Sequence, residues 1–173
     1  CRAWLPGRRV TEGGGVGGGG GLGGGAQLHR TVNAVRGLLS NGGLAGEGGA
    51  APSRRRGEEY LLARRLRTRL STGEQVGPWT DLLVYPYRAP FTALKAVDHV
   101  TAAAVHDGIP PDPRASDTIE RVRAARRPDG RWLQGFHFPG EVWFPLDVPV
   151  GEPSRWVTFL ALRALARWDA ATA

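Results

Sequence analysis

The sequence predicts an all-α protein, because apolar residues return at helical spacing in five segments that turn residues separate. In the first segment, Leu28, Val32, Val35 and Leu39 recur at i, i+4, i+7 and i+11. Two irregular stretches, residues 71–89 and 131–153, are rich in Pro, Gly and aromatic residues, and we expect a short hairpin around residues 136–144 in the second.

Cap and stop residues set the bounds of the four further helices. The second should run from a cap at Ser53 to Leu70, the third from Pro90 to Asp107-Gly108, the fourth from a cap at Asp112 to a stop at residues 128–130, and the fifth from a cap at Ser154 to about Asp169. The link between the third and fourth helices is short, so these two should be antiparallel neighbours. Gly57 is a weak point of the second helix.

The fifth helix is apolar around most of its circumference, and only Arg163 and Arg167 form an obvious stripe for solvent. A helix of this kind is usually buried on several sides, as the inner member of a layered helical array is. We therefore expect the fifth helix to lie inside the fold.

The amino-terminal segment is of low complexity, since residues 13–25 are glycine apart from Val16 and Leu22. Ordering so much glycine costs too much backbone entropy, and we expect residues 1–26 to be disordered and residues 27–173 to form the folded part. The first residue is Cys1 and the chain contains no Met, so we expect it to be part of a longer protein.

Composition narrows the classes of function. Cys1 is the only cysteine, which excludes an intrachain disulfide and a Cys-rich zinc site and fits a reducing, cytoplasmic setting. No apolar run approaches the roughly 18 residues of a transmembrane helix. The net charge of +7 comes almost wholly from arginines scattered among acidic residues, so solvated helix faces are favoured over the alternative of nucleic-acid binding.

A short motif points to a family. Residues 126–132, R-R-P-D-G-R-W, resemble the Q-x-P-D-G-x-W core of the QW repeat of squalene and hopene cyclases. In that motif the Gln ties the end of one helix to its neighbour and the Trp stacks over the turn. Arg126 stands at the Gln position, while the Asp129-Gly130 turn and Trp132 are kept.

A wider resemblance, from about Leu28 to the carboxyl end, is to largely uncharacterised bacterial proteins of the terpenoid cyclase and protein prenyltransferase superfamily. It is carried by five short stretches, at residues 56–62, 71–74, 111–114, 127–132 and 153–156. The resemblance implies an α/α-toroid of helical hairpins. Five helices make an incomplete toroid, whose exposed repeat edge should favour self-association. Residues 85–91 lack a His that those proteins tend to have.

The catalytic motifs of that superfamily are missing. The sequence has no D-x-D-D motif for protonating an alkene, no D-D-x-x-D motif for magnesium, and no cysteine in the folded part for a zinc site. We therefore predict no catalytic residue, metal or cofactor, and the sequence leaves open whether the protein is an enzyme.

Histidines next to carboxylates suggest acid and base chemistry at Asp98-His99 and His106-Asp107. Neighbours in a helix point about 100° apart, so we expect neither pair to form directly. His29 should be a surface histidine and His137 a loop histidine.

Aromatic residues concentrate in the second half of the chain. Toroid enzymes line their cavity with such residues, so the resemblance implies an isoprenoid or other apolar ligand. The candidate ligand-binding residues are Tyr87, Trp132, Trp143, Arg155 and Trp156, with Arg155 placed to contact an anionic head group. Two alternatives stay open: the aromatics fill the core, or the chain is a non-catalytic helical-repeat module for protein interaction.

Overall fold

The computed structural model of the chain describes residues 22–41, 50–88, 91–137 and 142–172. These residues form five α-helices, two short 3-10 turns and a two-stranded sheet. The helices are α1 (Leu22–Asn41), α2 (Ala50–Leu62), α3 (Ala93–Asp107), α4 (Ser116–Ala124) and α5 (Arg155–Thr172); the strands are β1 (Trp132–Leu133) and β2 (Pro153–Ser154). The predicted mostly helical class is thus confirmed.

Helix α1 begins earlier than predicted. It starts at Leu22, within the segment 1–26 that was expected to be disordered, while residues 1–21 lie outside the described residues. Gly25 is buried, and a Cβ atom there would lie 3.0 Å from the Trp79 ring. Packing of the helix against Trp79 offsets the entropy that ordering glycine costs.

Two predicted helix bounds in the middle of the chain were wrong. Helix α2 begins at Ala50, so Ser53 lies inside it, and it ends at Leu62 rather than Leu70. The chain turns away there because Arg65 and Leu66 adopt positive φ angles of 44° and 64°.

Helix α3 is capped at both ends. Thr92 is its N-cap and accepts a hydrogen bond from the Lys95 amide at 3.2 Å, whereas Pro90, the predicted start, lies outside the described residues. Gly108 ends the helix in the left-handed conformation, as its sequence position predicted.

The N-caps predicted for the fourth and fifth helices are confirmed in part. Asp112 accepts from the Arg114 amide at 2.8 Å, but it opens the 3-10 turn Pro113–Ala115, and α4 follows and ends at Ala124. Ser154 caps α5, since its Oγ accepts from the Val157 amide at 2.9 Å.

The predicted hairpin around residues 136–144 is replaced by a different pairing. Strand β1 runs antiparallel to β2, with Trp132 opposite Ser154 and Leu133 opposite Pro153. Residues 138–141 lie outside the described residues. The pairing brings the start of α5 beside the Trp132 strand.

Helix α3, and not α5, is the most enclosed helix. All residues from 91 to 101 are buried, and α3 packs against α1, α4 and α5. Helix α5 buries one apolar side and leaves Trp156, Phe159 and Leu162 exposed, so the prediction that it lies inside the fold was wrong for these residues. Among the described helices, none is long and apolar enough to cross a membrane.

Gly57 is the contact point of α1 and α2 rather than a weak point. A Cβ atom at Gly57 would lie only 2.4 Å from the Val35 Cγ1 atom, so no larger residue fits without moving a helix. Gly37, on α1, has nothing within 4 Å of the same position.

Substituting the two glycines should therefore change stability in opposite directions. We expect Gly37→Ala to raise the free energy of unfolding by roughly 0.5–1 kcal/mol, the usual gain of Ala over Gly in a helix. Gly57→Ala should lower it by about 1–3 kcal/mol, because overpacking outweighs that gain. Urea unfolding of both variants measures this, and equal stabilisation by both would contradict the close packing at Gly57.

Candidate functional site

Helix α3 buries charged and titratable side chains in the middle of the fold. Lys95, Asp98 and His99 are each 3% exposed or less. A buried charge destabilises a protein unless other groups pair with it, so the partners of these three residues define the polar interior.

Asp98 is held by three guanidinium groups, which we call the arginine cluster: Arg36 of α1 and Arg163 and Arg167 of α5. Arg163 Nη2 lies 2.7 and 2.8 Å from the two carboxylate oxygens, and its Nε lies 3.0 Å from Oδ1. Arg36 Nη1 and Arg167 Nη1 each lie 3.2 Å from a carboxylate oxygen. The predicted solvent stripe of Arg163 and Arg167 is therefore right only in part: both side chains remain 34% and 30% exposed, but both also contact a buried carboxylate.

Lys95 lies one turn before Asp98 on the same helix. Its Nζ donates to Asn33 Oδ1 and, at 2.7 Å, to the Arg88 carbonyl. Burial, with the charge of Arg36 as a second cause, lowers the Lys95 pKa to about 8. The Arg36 guanidinium therefore also acts on the Lys95 amine, although burial is the larger cause of the lowered pKa.

Tyr87, a predicted ligand-binding residue, lies at the arginine cluster. The Arg36 guanidinium stands 5.0 Å from the centre of its ring. Its hydroxyl is buried without a hydrogen-bond partner. Burial, assisted by the charge of Asp98 and opposed by Arg36 and Arg163, raises its pKa well above the usual range. The hydroxyl therefore stays protonated and remains a donor.

A second polar cluster ties α2 to the end of α3. Arg54 donates to Glu58 at 2.8 and 2.9 Å and to Asp107 at 2.6 and 2.7 Å. Glu58 also contacts His99 Nε2 at 2.9 Å. Burial alone would raise the Asp107 pKa, but hydrogen bonds from Arg54 and His106 hold it below its usual range. Both carboxylates are thus held in place by Arg54.

The prediction that adjacent His and Asp side chains do not pair was wrong for His106 and Asp107 and right for Asp98 and His99. His106 Nδ1 lies 2.9 Å from Asp107 Oδ1, although the two residues are adjacent. Asp107 is the last residue of α3, and Arg54 fixes its carboxylate where the exposed His106 ring can reach it. Asp98 and His99 do diverge, one to the arginine cluster and the other to Glu58.

A cavity of about 340 Å³ opens beside this second cluster. Its walls combine Glu58 and Asp107 with apolar side chains, chiefly Val100, Ile109 and Pro111. Arg54 already pairs with both carboxylates, so neither is free to act as a general base. The second cluster instead joins α2 to α3.

Helix α5 carries an exposed aromatic face, defined by Trp156, Phe159 and Leu162. Their exposures are 37%, 52% and 42%. Tyr85 stacks on Trp156 with ring centres 5.0 Å apart and planes 15° apart. The Arg163 guanidinium lies 5.1 Å from the Phe159 ring centre, so the aromatic face adjoins the arginine cluster.

A second cavity, of about 330 Å³, borders Tyr85. Apolar residues form most of its wall, with His137 and Arg88 as polar members; the apolar ones are Pro86, Val142, Pro145 and Leu146. His137 is an exposed loop residue, as predicted, and its Nε2 lies 2.8 Å from the Val148 carbonyl oxygen. Tyr85 therefore joins this cavity to the aromatic face.

The other predicted ligand-binding residues are distributed between surface and core. Arg155 and Trp156 lie together, with the guanidinium 5.5 Å from the indole centre. Trp143 is fully exposed in the segment before β2. Trp132 is fully buried, and its Nε1 donates to the Val122 carbonyl at 2.6 Å. The structure brings Arg155 and Trp156 together but places Trp132 in the core.

The residues of the QW-like motif contact one another. Arg126 Nε donates to the Gly130 carbonyl at 3.1 Å, and its guanidinium lies 5.5 Å from the Trp132 ring centre. Gly130 has a φ of 81°, which favours glycine. Arg126 thus links the end of α4 to the turn at the Gln position of the motif.

His29 is not the surface residue that the sequence predicted. Its ring packs edge-on against Trp79 at 4.9 Å, and Nε2 is buried without a hydrogen-bond partner. Burial, with the charge of Lys95 as a second cause, lowers the His29 pKa to about 4. His29 is neutral at physiological pH.

The sequence reasoning did not identify the arginine cluster or Glu58. Asp98 and His99 gave one signal, because these two titratable residues stand between Val97 and Val100 in the sequence. Its partners come from α1 and α5, 62 to 69 residues away along the chain. No local pattern could indicate that they converge.

Comparisons with protein-family models, curated proteins and solved structures found no match to this chain. Within the described ranges, no three His, Cys, Asp or Glu side chains converge as metal ligands would. The geometry of the described side chains is therefore the basis for proposing a function.

Breaking the second cluster should destabilise the fold. Arg54→Met leaves Glu58 and Asp107 without their shared partner, and we expect a loss of about 3 kcal/mol at pH 7, typical of a broken buried ion pair. Arg55→Met is the control: that side chain is 69% exposed and 3.7 Å from Asp107, so its removal should cost less than about 0.5 kcal/mol. Urea unfolding measures both, and similar losses would contradict the assigned role of Arg54.

His29 should make the fold acid-sensitive. Its pKa is about 4 in the folded chain and about 6.5 unfolded, so the unfolded state binds its proton first as the pH falls. Stability is present above pH 6.5 and declines towards pH 4. Between pH 7 and pH 5 the wild type should lose about 1 kcal/mol more than His29→Gln, after allowance for partial exposure. Urea titrations at both pH values test this, and parallel losses would contradict it.

Proposed function

We propose that this chain is part of an α/α-toroid of the terpenoid cyclase and prenyltransferase type and binds an isoprenoid or other apolar ligand. Two features support the scaffold. Helices adjacent in sequence pack on each other, α1 on α2 and α3 on α4. The Arg126, Gly130 and Trp132 contacts suit the turn of a QW-like repeat.

The observation that carries the ligand proposal is the stack of Tyr85 on Trp156. It joins the cavity of about 330 Å³ to the exposed aromatic face of α5. Ligand sites commonly have about 300–1,000 Å³ of mostly apolar wall. A chain ligand held in this cavity and along Phe159 and Leu162 would bury apolar surface on both partners, at roughly 25 cal/mol per Å².

The aromatic face suits binding better than carbocation chemistry. Arg155 lies 5.5 Å from the Trp156 ring centre and Tyr85 stacks on the same ring, so the indole already has an aromatic partner and a cation beside it. A cationic intermediate beside Arg155 and Arg163 would also meet like charge. We therefore assign binding to this face and no catalytic step.

Removing Trp156 should weaken the binding of an isoprenoid. We expect a fluorescent farnesol analogue to bind the wild-type chain and to bind Trp156→Ala about 10-fold more weakly, because Tyr85, which lines the cavity, loses the ring on which it stacks and the exposed aromatic face loses its indole. Fluorescence anisotropy measures the affinity. Leu70→Ala is the control: it removes a 60% exposed apolar side chain from the turn after α2 and should leave the affinity unchanged.

Two outcomes would overturn the proposal: absence of binding by the folded wild type, or equal affinities of the wild type and Trp156→Ala. The alternative is a protein-interaction module, for which the same exposed face is the contact surface. Sedimentation at several concentrations distinguishes it. A dimer that Phe159→Ser dissociates, together with no uptake of the probe, would favour the interaction module.

A further inference from the structure

The cavity of about 330 Å³ beside Tyr85 has a mostly apolar wall with few polar groups, and none of its described wall residues is acidic. Besides Tyr85, the polar residues of the wall are Arg88 and His137. Sites of this kind use a small number of polar groups to orient a ligand and to select its head group. The hydrogen-bonding chemistry of Arg88 and His137 therefore indicates which head group the cavity accepts.

His137 has one ring nitrogen whose role is fixed by the backbone. Its Nε2 lies 2.8 Å from the Val148 carbonyl oxygen. A carbonyl oxygen only accepts, so Nε2 carries the proton of this hydrogen bond. In the neutral ring, Nδ1 then keeps its lone pair and acts as an acceptor. The neutral His137 side chain therefore requires a donor at Nδ1.

Arg88 has the opposite hydrogen-bonding character. A guanidinium group has five N–H donors and no acceptor. The buried Lys95 amine donates to the Arg88 carbonyl at 2.7 Å, which holds the backbone of this wall residue in place. The wall thus combines a side chain that only donates with a ring nitrogen that accepts.

Hydrogen bonds hold the Tyr85 side of the cavity to the segment that leads to His137. Gln134 is fully buried; its Oε1 accepts from the Tyr85 amide at 3.0 Å, and its Nε2 donates to the Tyr85 carbonyl at 2.6 Å. The Gly135 amide donates to the Leu83 carbonyl at 2.7 Å. These contacts fix the wall before any ligand binds, which reduces the free-energy cost of ordering it on binding.

We propose that this cavity binds the hydroxyl end of a long-chain alcohol, with Arg88 donating to the alcohol oxygen and His137 Nδ1 accepting from its O–H group. A hydroxyl both donates and accepts, so it matches both side chains. An ionised carboxylate only accepts, leaves the neutral His137 ring without a donor, and costs more to remove from water. This inference rests on the proposed function, because the chain of the alcohol is the apolar ligand that lies along Phe159 and Leu162.

Farnesol and its methyl ether test the head group. The two probes share a chain and an oxygen that accepts, but only farnesol has an O–H donor. Displacement of the fluorescent farnesol analogue at pH 8 gives both affinities. We expect the wild-type chain to bind farnesol about 5-fold more tightly than the ether, the usual effect of one hydrogen bond. Equal affinities, or tighter binding of farnesoic acid than of farnesol, would overturn the proposal.

Variants of His137 assign the preference for farnesol to this side chain. Leu cannot accept a hydrogen bond, so His137→Leu should reduce the preference to less than about 2-fold. Gln can donate to the Val148 carbonyl and still accept, so His137→Gln should keep it. His106→Leu is the matched control: it removes another exposed histidine, 56% exposed, and should also keep the preference. A preference that survives in His137→Leu would contradict the assigned role.

The proposed function and the alcohol proposal fail in different ways. Binding of both probes by the wild type with equal affinity overturns the alcohol proposal and keeps the proposed function. Binding of neither probe by the folded wild type overturns the proposed function, and the alcohol proposal fails with it. Weaker binding of both probes by Trp156→Ala, with an unchanged preference for farnesol, supports both, because chain and head group then contact separate residues.

Discussion

The burial of Asp98 constrains the rest of the structure. A carboxylate inside the fold needs positive partners, and these come from α1 and α5, two of the three helices that pack on α3. The pairing therefore fixes how α1, α3 and α5 are placed relative to one another. Arg163 and Arg167 reach Asp98 from α5, while Trp156, Phe159 and Leu162 of the same helix stay exposed.

The same constraint explains why polar and aromatic groups are neighbours on α5. Arg163 contacts Asp98 on one side and Phe159 on the other, so the helix joins a charged interior to an apolar exterior. Tyr87 and Tyr85 approach these two regions from the segment before α3.

Helices and caps could be predicted because their signals are local. The spacing of Leu28, Val32 and Val35, the Ser154 cap and the Gly108 stop each depend on residues within a few positions. The contact of Arg163 with Asp98 and the burial of His29 against Trp79 depend on residues distant in sequence. Patterns along the chain do not contain these contacts, so the polar site could not be predicted. Trp156 was named as a candidate ligand-binding residue, but its exposure on α5 was not predicted.

The position of Lys95 has a chemical consequence. It is the only lysine of the 173-residue chain, and it is buried with its amine bonded to Asn33 and Arg88. Reagents that acylate surface amines, and enzymes that attach modifiers to lysine, thus find no accessible lysine on the folded chain. Acylation of Lys95 would instead report each opening of the core that lets solvent reach it, and the rate of labelling would measure how often α1 separates from α3.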